Sequence, residues 1–304
     1  MSNAKLWGID LGGTKIECAV LDSNLDTIVR KRIATEADKG YPHILSQIKK
    51  LIDQVSNEIG EKPSGIGFAT PGALEPETRV MKNCNTVCMN GMLMKDDLEK
   101  TLDLPVKLEN DANCFALAET HWGIVKEKFP KASMVFGIIM GSGVGGGIVT
   151  NGKVWNGHHG IAGEWGHNYL DDSGGACYCG KTGCVETIIS GPALQRFYAS
   201  ITRNNITLKE IVARYQQNTD EAAAQTIQRL CHFFGKAVSV VTNLLDPDVI
   251  VIGGGVGNID ALYTEGIESL KEFIFNNGVS VPVLKPSLGD SAGVFGAAAL
   301  VANS

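Results

Sequence analysis

Four side chains near the middle of the chain have the types and spacing of a metal site: His167, Cys177, Cys179 and Cys184. One imidazole and three thiolates fill the four positions around a tetrahedral zinc ion, and a filled set is structural rather than catalytic. Gly174, Gly175, Gly180 and Gly183 let a short loop wrap the ion. Free thiols beside a surface histidine would be the plainer reading, and the ligand set argues against it. A redox pair is disfavoured, because the Cys-x-x-Cys spacing is absent. Cys18, Cys84, Cys88, Cys114 and Cys231 read as buried or free thiols.

Three glycine clusters, Gly12-Gly13, residues 141–147 and Gly253-Gly254-Gly255, each follow an apolar run. One such cluster is most simply a tight turn. Three at strand ends suggest concave nests of backbone N–H groups that hold phosphate oxygens. Gly141-x-Gly143-x-x-Gly146, with Glu164 beyond it, formally matches a dinucleotide fingerprint. That reading fails because the fingerprint needs a helix directly after the glycines, whereas Asn151-Gly152 signals a hairpin.

Phosphoryl transfer also needs a group that orients a hydroxyl and finally takes its proton. Asn110-Asp111 sits where an apolar strand gives way to a helical pattern. Asp111 at such a junction is either a helix cap or a base. Asp10, just before the first glycine turn, suits water-mediated contact with Mg²⁺; the plain alternative is an Asp that stabilises the turn.

The elements that must carry these residues follow from periodicity. Strands are expected at 6–10, 16–20, 26–33, 65–69, 106–109, 134–140, 148–150, 153–155 and 249–252, with a turn at Asp22-Ser23-Asn24. Helical spacing links Ile44, Ile48, Leu51, Ile52 and Val55, and helices are expected at 112–122, 222–245 and 291–302. A strand meander with a glycine turn at its first corner occurs near 6–33 and again near 134–155, which predicts two related domains.

Composition bounds the function. With 304 residues there is room for two domains, and 44% hydrophobic with 20% charged residues is ordinary globular usage. A formal charge of -6 argues against nucleic acid or anionic membrane as partner. No apolar run reaches the roughly 18 residues of a spanning helix, and no signal-peptide pattern opens the chain. Ser2-Asn3-Ala4 carries no structural weight.

Asp10-Leu11-Gly12-Gly13-Thr14-Lys15 resembles the first phosphate motif of the sugar kinase, actin and hexokinase superfamily. Residues 141–147 resemble its second phosphate motif and residues 246–256 its adenosine motif. The stretch from Glu164-Trp165-Gly166-His167 through Cys177, Cys179 and Cys184 to Glu186 resembles the signature of the ROK family of bacterial sugar kinases and related repressors. The resemblance implies an α/β chain of two ribonuclease H-like (actin/hexokinase-type) domains around an ATP cleft. Residues 1–118 plus 290–304 would form a small N-terminal domain and 119–289 a large C-terminal domain with the zinc loop.

It also implies ligands and roles. ATP with Mg²⁺ would be held by Asp10, Gly12, Gly13, Thr14, Lys15, Gly141, Ser142, Gly143, Gly145, Gly253, Gly254 and Gly255. The sugar would be bound by Gly72, Asn85, Asn110, Asp111, Glu164, His167 and Glu186, with Asp111 as the base. His167, Cys177, Cys179 and Cys184 would hold structural Zn²⁺. The segment from Val80 to Gly91 resembles that of fructokinases that also accept mannose, so the expected reaction is transfer of the γ-phosphoryl group to the 6-hydroxyl of fructose, with mannose second. N-acetylglucosamine kinase and glucokinase of the same family are the nearest alternatives. A sugar-responsive repressor would need a helix-turn-helix domain ahead of Asp10, for which the sequence leaves no room. An actin-like filament protein would not need the sugar signature at 164–186. Family analogy adds a homodimer in the cytoplasm, with no nucleic-acid and no membrane partner.

Overall fold

The computed structural model describes residues 5–22, 26–276 and 281–302. Ser2-Asn3-Ala4 and Ser23-Asn24 lie outside the described residues. The chain opens with β1 (Leu6–Leu11), β2 (Lys15–Leu21), β3 (Thr27–Ala34), α1 (Tyr41–Ile59) and β4 (Ile66–Thr70). There follow β5 (Ala73–Leu74), β6 (Met81–Lys82), α2 (Met94–Leu102), β7 (Val106–Asn110), α3 (Asp111–His121) and α4 (Ile124–Lys128). Then come β8 (Met134–Met140), β9 (Val144–Thr150), β10 (Lys153–Val154), α5 (Glu186–Ile189), α6 (Gly191–Thr202), α7 (Leu208–Gln216) and α8 (Glu221–Leu245). The last elements are β11 (Val249–Gly253), α9 (Glu265–Phe273), β12 (Val283–Leu284) and α10 (Ala292–Ala302).

The meander expected twice from the sequence is present twice. One five-stranded sheet has the order β3-β2-β1-β4-β7 and the other β10-β9-β8-β11-β12. β1 pairs antiparallel with β2 and parallel with β4, and β8 does the same with β9 and β11. Asn151 and Gly152 both have positive φ, at 50° and 73°, the conformation of a two-residue hairpin turn between β9 and β10.

By contact density the chain forms two compact units: Met1–Lys126 with Val154–Ala162 and Leu288–Ser304, and Glu127–Lys153 with Gly163–Ser287. The stretch Val154–Ala162, which the sequence reading assigned to the second domain, packs with the first unit. Its side chains and backbone bond to Glu109, Asn113 and Lys82 there.

Local signals explain the long helices. α1 buries Ile44, Ile48, Leu51, Ile52 and Val55 on one stripe and ends at Gly60, whose φ of 70° is the left-handed stop. α8 starts on Asp220, which accepts from Ala222 N and Ala223 N, and ends at Asp246 before Pro247. α7 has a capping box of Thr207 and Glu210. Two expectations shift. The glycine run at 141–147 is a turn only as far as Gly143; Gly145, Gly146 and Gly147 lie within β9. The helix expected from Ala112 begins at Asp111 and is capped by Asn110. No helix among the described residues is long and apolar enough to cross a membrane.

α10 is apolar all round because it is covered on more than one side. It lies against β1 and β4 through glycines: a Cβ on Gly8 would be 2.2 Å from Val294 O, and one on Gly67 would be 1.8 Å from Ala297 O. Gly296 meets the Cys114 carbonyl of α3 in the same way, at 1.9 Å. Backbone cannot yield as a flexible side chain can, so overpacking here is costly. Gly67→Ala is expected to lower unfolding free energy by about 3 kcal/mol in urea titrations. Gly65→Ala, whose Cβ would make only an ordinary 3.5 Å contact, should stay within about 0.5 kcal/mol of wild type. Equal effects of the two would refute this account of the α10 contact.

Candidate functional site

In the first unit the candidate residues collect at the C-terminal ends of parallel strands, where α/β sheets usually place ligands. Asp10, the last but one residue of β1, is opposite Ala69 of β4, and Thr70 of β4 is opposite Asn110 of β7. The turn after β1 is closed by Gly12 N donating to Lys15 O at 3.0 Å and pinned by the Thr35 hydroxyl on Gly12 O at 2.6 Å. Gly13, Thr14 and Lys15 are exposed. A Cβ on Gly13 would lie 3.1 Å from Thr86 Oγ1. Gly72 is packed so tightly that a Cβ would meet Cys84 Sγ at 2.5 Å and Lys82 O at 2.6 Å. Asn85 N reaches Pro71 O at 3.3 Å. Thus Gly12-Gly13, Gly72, Asn85 and Asn110-Asp111 share one edge.

The start of α3 is built by Asn110 and Asp111 together. The N-cap of α3 is Asn110, whose Oδ1 accepts from Ala112 N at 2.9 Å. Asp111 is the first helical residue, and its Oδ1 accepts from the same N–H at 2.7 Å. Asn110 therefore holds the cap position and Asp111 shares its bond to Ala112 N.

The Asp10 carboxyl sits above the usual carboxylate range. Burial, then the charge of Glu17, push its carboxyl up from 3.8 to about 6, while Lys15 and Arg32 pull it down. Glu17 is directly opposite Asp10 on β2 and only 2% exposed, and both of its oxygens are paired, with Arg30 and Arg32. Sequence reading missed Glu17 because only the β1–β2 register brings it to Asp10.

In the second unit the ends of β8 and β11 adjoin, with Gly253 opposite Ile139. Gly254 has φ of 82°, and a Cβ there would be 2.3 Å from Met140 O. Gly141 N bonds Gly143 O at 2.9 Å, and Gly191 N bonds Gly141 O at 2.8 Å. Around these glycines lies a cavity of about 670 Å³, lined among others by Ser142, Gln195, Leu208, Gly255 and Asn258. Its volume is that of a typical small-ligand pocket. Its apolar walls from α6 and α7 suit a flat heteroaromatic ring, and its glycine floor suits phosphates. Sequence reading found the floor but not these walls.

The glycines inside β9 make room for the segment carrying Glu164 and His167. A Cβ on Gly146 would strike Trp165 at 2.4 Å and Gly163 O at 2.6 Å, and one on Gly166 would strike Val144 O at 2.0 Å. Trp165 donates to Gly145 O at 3.1 Å and stacks edge-on to Phe136. Glu164 precedes the single turn Trp165–His167. Glu186 opens α5, and its Oε2 accepts from Val144 N at 2.9 Å beside the glycine turn.

His167, Cys177, Cys179 and Cys184 converge, with all four donor atoms within 4.8 Å of one another. Cys179 and Cys184 sulfurs are 3.6 Å apart, and Cys177 Sγ is 3.7 Å from His167 Nδ1. Zinc–sulfur bonds of about 2.3 Å give tetrahedral edges of about 3.8 Å, so the set fits zinc. The loop returns through Cys177 N on Lys181 O at 2.8 Å, with Gly180 at φ 85° and Gly183 at φ 73°. The second ring nitrogen of His167, Nε2, meets the Tyr178 hydroxyl at 3.0 Å, an outer contact of the sort that fixes a ligand's ring.

Two expectations follow. Elemental analysis should find about one zinc per chain, and Cys179→Ala should lower the melting temperature, because such sites contribute folding energy directly. A folded, active preparation free of zinc would sink the assignment. Asp10 gives a pH-dependent signature. Its raised carboxyl means the folded state keeps a proton that the unfolded state has released between about pH 4 and 6, so stability falls as pH rises through that window. Asp10→Asn should therefore be more stable than wild type by about 1–3 kcal/mol at pH 7.5 without nucleotide or magnesium, with the gain shrinking towards pH 4. A gain that is equal at both pH values, or none, would contradict it.

Comparison with known proteins places these features in a family. The model of the ROK family matches residues 6–304. An N-acetyl-D-glucosamine kinase of Yersinia pseudotuberculosis serotype O:3 is 32% identical over 304 residues, covering 97% of this chain and 98% of the relative. Among solved structures, a ROK hexokinase from Thermus thermophilus is 30% identical with a TM-score of 0.85, covering 97% of this chain and 96% of that one. A ROK family glucokinase from Streptomyces griseus, in complex with glucose and AMPPNP, is 27% identical with a TM-score of 0.82, covering 99% of this chain and 100% of that one. With its two sheets of one topology and its match along residues 6–304, this chain belongs to the ROK family.

Proposed function

We propose that this chain is an ATP-dependent sugar kinase that transfers the γ-phosphoryl group to the 6-hydroxyl of a hexose, with Asp111 as the base. The observation that carries this is the edge formed by Asp10, Gly72 and Asn110-Asp111 at the ends of β1, β4 and β7, with Asn110 capping α3 and Asp111 at its first position. A sugar hydroxyl is a poor acid, so its proton leaves late and orientation carries much of the effect. Asp111 holds that proton at its carboxylate, while Asn110, Gly72 and Asn85 fix the acceptor. The family resemblance assigns further hydroxyl contacts to Glu164, Glu186 and His167, the last through Nε2 in place of the Tyr178 hydroxyl. The glycine turns at Gly12-Gly13, Gly141-Ser142-Gly143 and Gly253-Gly254-Gly255 each let phosphate approach the backbone, with Thr14 and Lys15 following the first of them. Asp10 suits Mg²⁺ held through water. MgATP, when bound, supplies the electrophilic phosphoryl group. Zinc on His167 and the three cysteines would hold the His167 ring and the Glu186 segment in place.

For the acceptor, the names of the curated relatives support N-acetylglucosamine. A second reading, fructose with mannose second, keeps one local observation in its favour. The 80–91 segment, whose sequence resembles fructokinases, packs directly on Gly72 through Cys84 and Lys82. Changes in that segment would reshape the acceptor loop. A pocket that leaves an amide unpaired loses about 1–3 kcal/mol, which is roughly 5- to 150-fold in selectivity.

One assay tests both levels. Wild type should phosphorylate at least one of N-acetylglucosamine, fructose, mannose and glucose, and kcat/KM compared side by side assigns the acceptor. A tenfold advantage of fructose over N-acetylglucosamine, or the reverse, decides between the two readings. Asp111→Asn should lose a factor of about 10² or more in kcat on the best sugar while MgATP still binds. Near-normal turnover in that variant would exclude Asp111 as the base.

A further inference from the structure

Glu109, the residue before the Asn110-Asp111 pair, spends both oxygens on a closed set of amides. Its Oε1 accepts from Asn110 N at 2.9 Å and from Asn113 Nδ2 at 3.0 Å. Its Oε2 accepts from Asn156 Nδ2 at 2.8 Å, and Asn113 Nδ2 also reaches Asn156 Oδ1 at 3.1 Å. Asn113 is buried, Glu109 is half-buried and Asn156 is exposed. All three belong to the first compact unit. Asn156 brings with it the stretch Val154–Ala162, which is also fastened at its far end. Lys82 Nζ donates to His159 O at 2.6 Å, and a Cβ on Gly160 would lie 3.0 Å from Leu74 O. Leu74 and Lys82 belong to the β5–β6 hairpin that follows Gly72.

A carboxylate is an expensive way to hold a loop, since withdrawing a charge from water costs more than burying an amide. Charge-assisted bonds from three donors offset that cost and impose a direction that apolar packing does not. The directions set here are those of the residue before Asp111 and of the loop beside the Gly72 hairpin.

We propose that Glu109, Asn113 and Asn156 form a latch that positions the Val154–Ala162 loop against the acceptor side of the first unit, making Glu109 and Asn156 positioning residues for the sugar and not for the nucleotide. This rests on the kinase reading above. Asn156→Ala removes the loop's half of the latch. Glu109→Gln puts an amide donor against the Asn156 donor. Combining Glu109→Gln with Asn156→Asp moves the carboxylate across the pair and restores every donor to an acceptor: the Gln amide then faces the Asp, and Asn110 N and Asn113 Nδ2 keep their partners.

The test reads KM and kcat for the best sugar and for MgATP, together with amide hydrogen exchange of Val154–Ala162 in the full chain. Asn156→Ala and Glu109→Gln should each raise the sugar KM about tenfold, the usual effect of losing a bond to a charged group, with the MgATP KM within about twofold of wild type. Exchange across the loop should speed up in both. The swapped pair should recover most of the sugar KM and the loop protection. If Glu109→Gln does not fold, Asn156→Ala at its exposed position and the swapped pair still decide. An unchanged sugar KM in Asn156→Ala, an equal rise for both substrates, or a swapped pair no better than the single variants would overturn the latch. Exchange is read without turnover. A wild type that phosphorylates no sugar, with loop protection lost in Asn156→Ala and restored in the swap, would therefore overturn the kinase reading and the acceptor role while the latch itself stands.

Discussion

The second unit depends on one backbone contact. Gly146 in β9 and Gly163 face each other with no room for a side chain on either: a Cβ on Gly146 would lie 2.6 Å from Gly163 O, and one on Gly163 would lie 2.4 Å from Gly146 O. Gly163 also needs the left-handed φ of 90° that glycine adopts without strain. With that approach granted, Trp165 drops onto Gly145 O and Phe136, Glu164 is presented just ahead of it, and His167 arrives one turn later at the three thiols. The loop that follows brings Glu186 back to Val144, two residues before Gly146. Metal loop, glycine turn and two candidate acceptor carboxylates are thus tied to a single β-strand. A methyl group at 146 would disturb all of them together.

The two sheets share one strand order but use it differently. In the first, the parallel strands β1, β4 and β7 end in side chains with chemistry: Asp10, Thr70, and Asn110 followed by Asp111. In the second, β8 and β11 end in bare backbone, Gly141 and Gly253-Gly254-Gly255, beside a cavity walled by helices. One end offers carboxylates that can hold a proton or a cation. The other offers N–H groups and an apolar wall, which suit a phosphate chain and a ring. This division of labour is what the proposed phosphoryl transfer requires.

How much of this was readable from residue order depended on the range of the interaction. The metal ligands stood out because Cys177, Cys179 and Cys184 lie within eight residues and His167 just upstream, so local spacing nearly fixes the set. The strands β1, β4, β8 and β11 were legible as apolar runs, and the repeated meander followed from them. The run at 141–147 misled in part. Glycine signals a turn locally, but Gly145, Gly146 and Gly147 are in a strand because Trp165 and Gly163 need the space. Glu17, Glu109 and Asn156 gave no signal at all. Glu17 meets Asp10 and the arginines only across neighbouring strands, and Glu109 meets Asn156 only where the fold returns the later loop to β7, so a single acidic or amide residue is unremarked until the fold supplies its neighbour. The walls of the cavity, from α6 and α7, were missed for the same reason: their residues become neighbours of Gly141 only through packing.

Three buried or half-buried carboxylates in the first unit show how one fold can treat the same chemistry in three ways. Glu17 is almost fully buried and receives two guanidinium groups, one per oxygen, so its charge is matched where it sits. Glu109 receives only neutral donors, three of them. Burial still pushes its carboxyl upward, against the pull of those bonds. Asp10 has a charge of the wrong sign, Glu17, directly opposite it, and relies on Lys15 and Arg32 to limit the rise to about 6. The first two arrangements satisfy their charge within the protein and therefore serve position: Glu17 anchors β2 to β3 through the two arginines, and Glu109 anchors strand end to loop. Asp10 is left with an electrostatic cost that a cation would relieve, at the strand end beside the first glycine turn. Because Glu17 is locked to its arginines and stands opposite Asp10, removing Arg30 or Arg32 would weaken the fold and also unmask more of the Glu17 charge. The ion pairs of Glu17 thereby help set the electrostatic cost that Asp10 carries on the neighbouring strand.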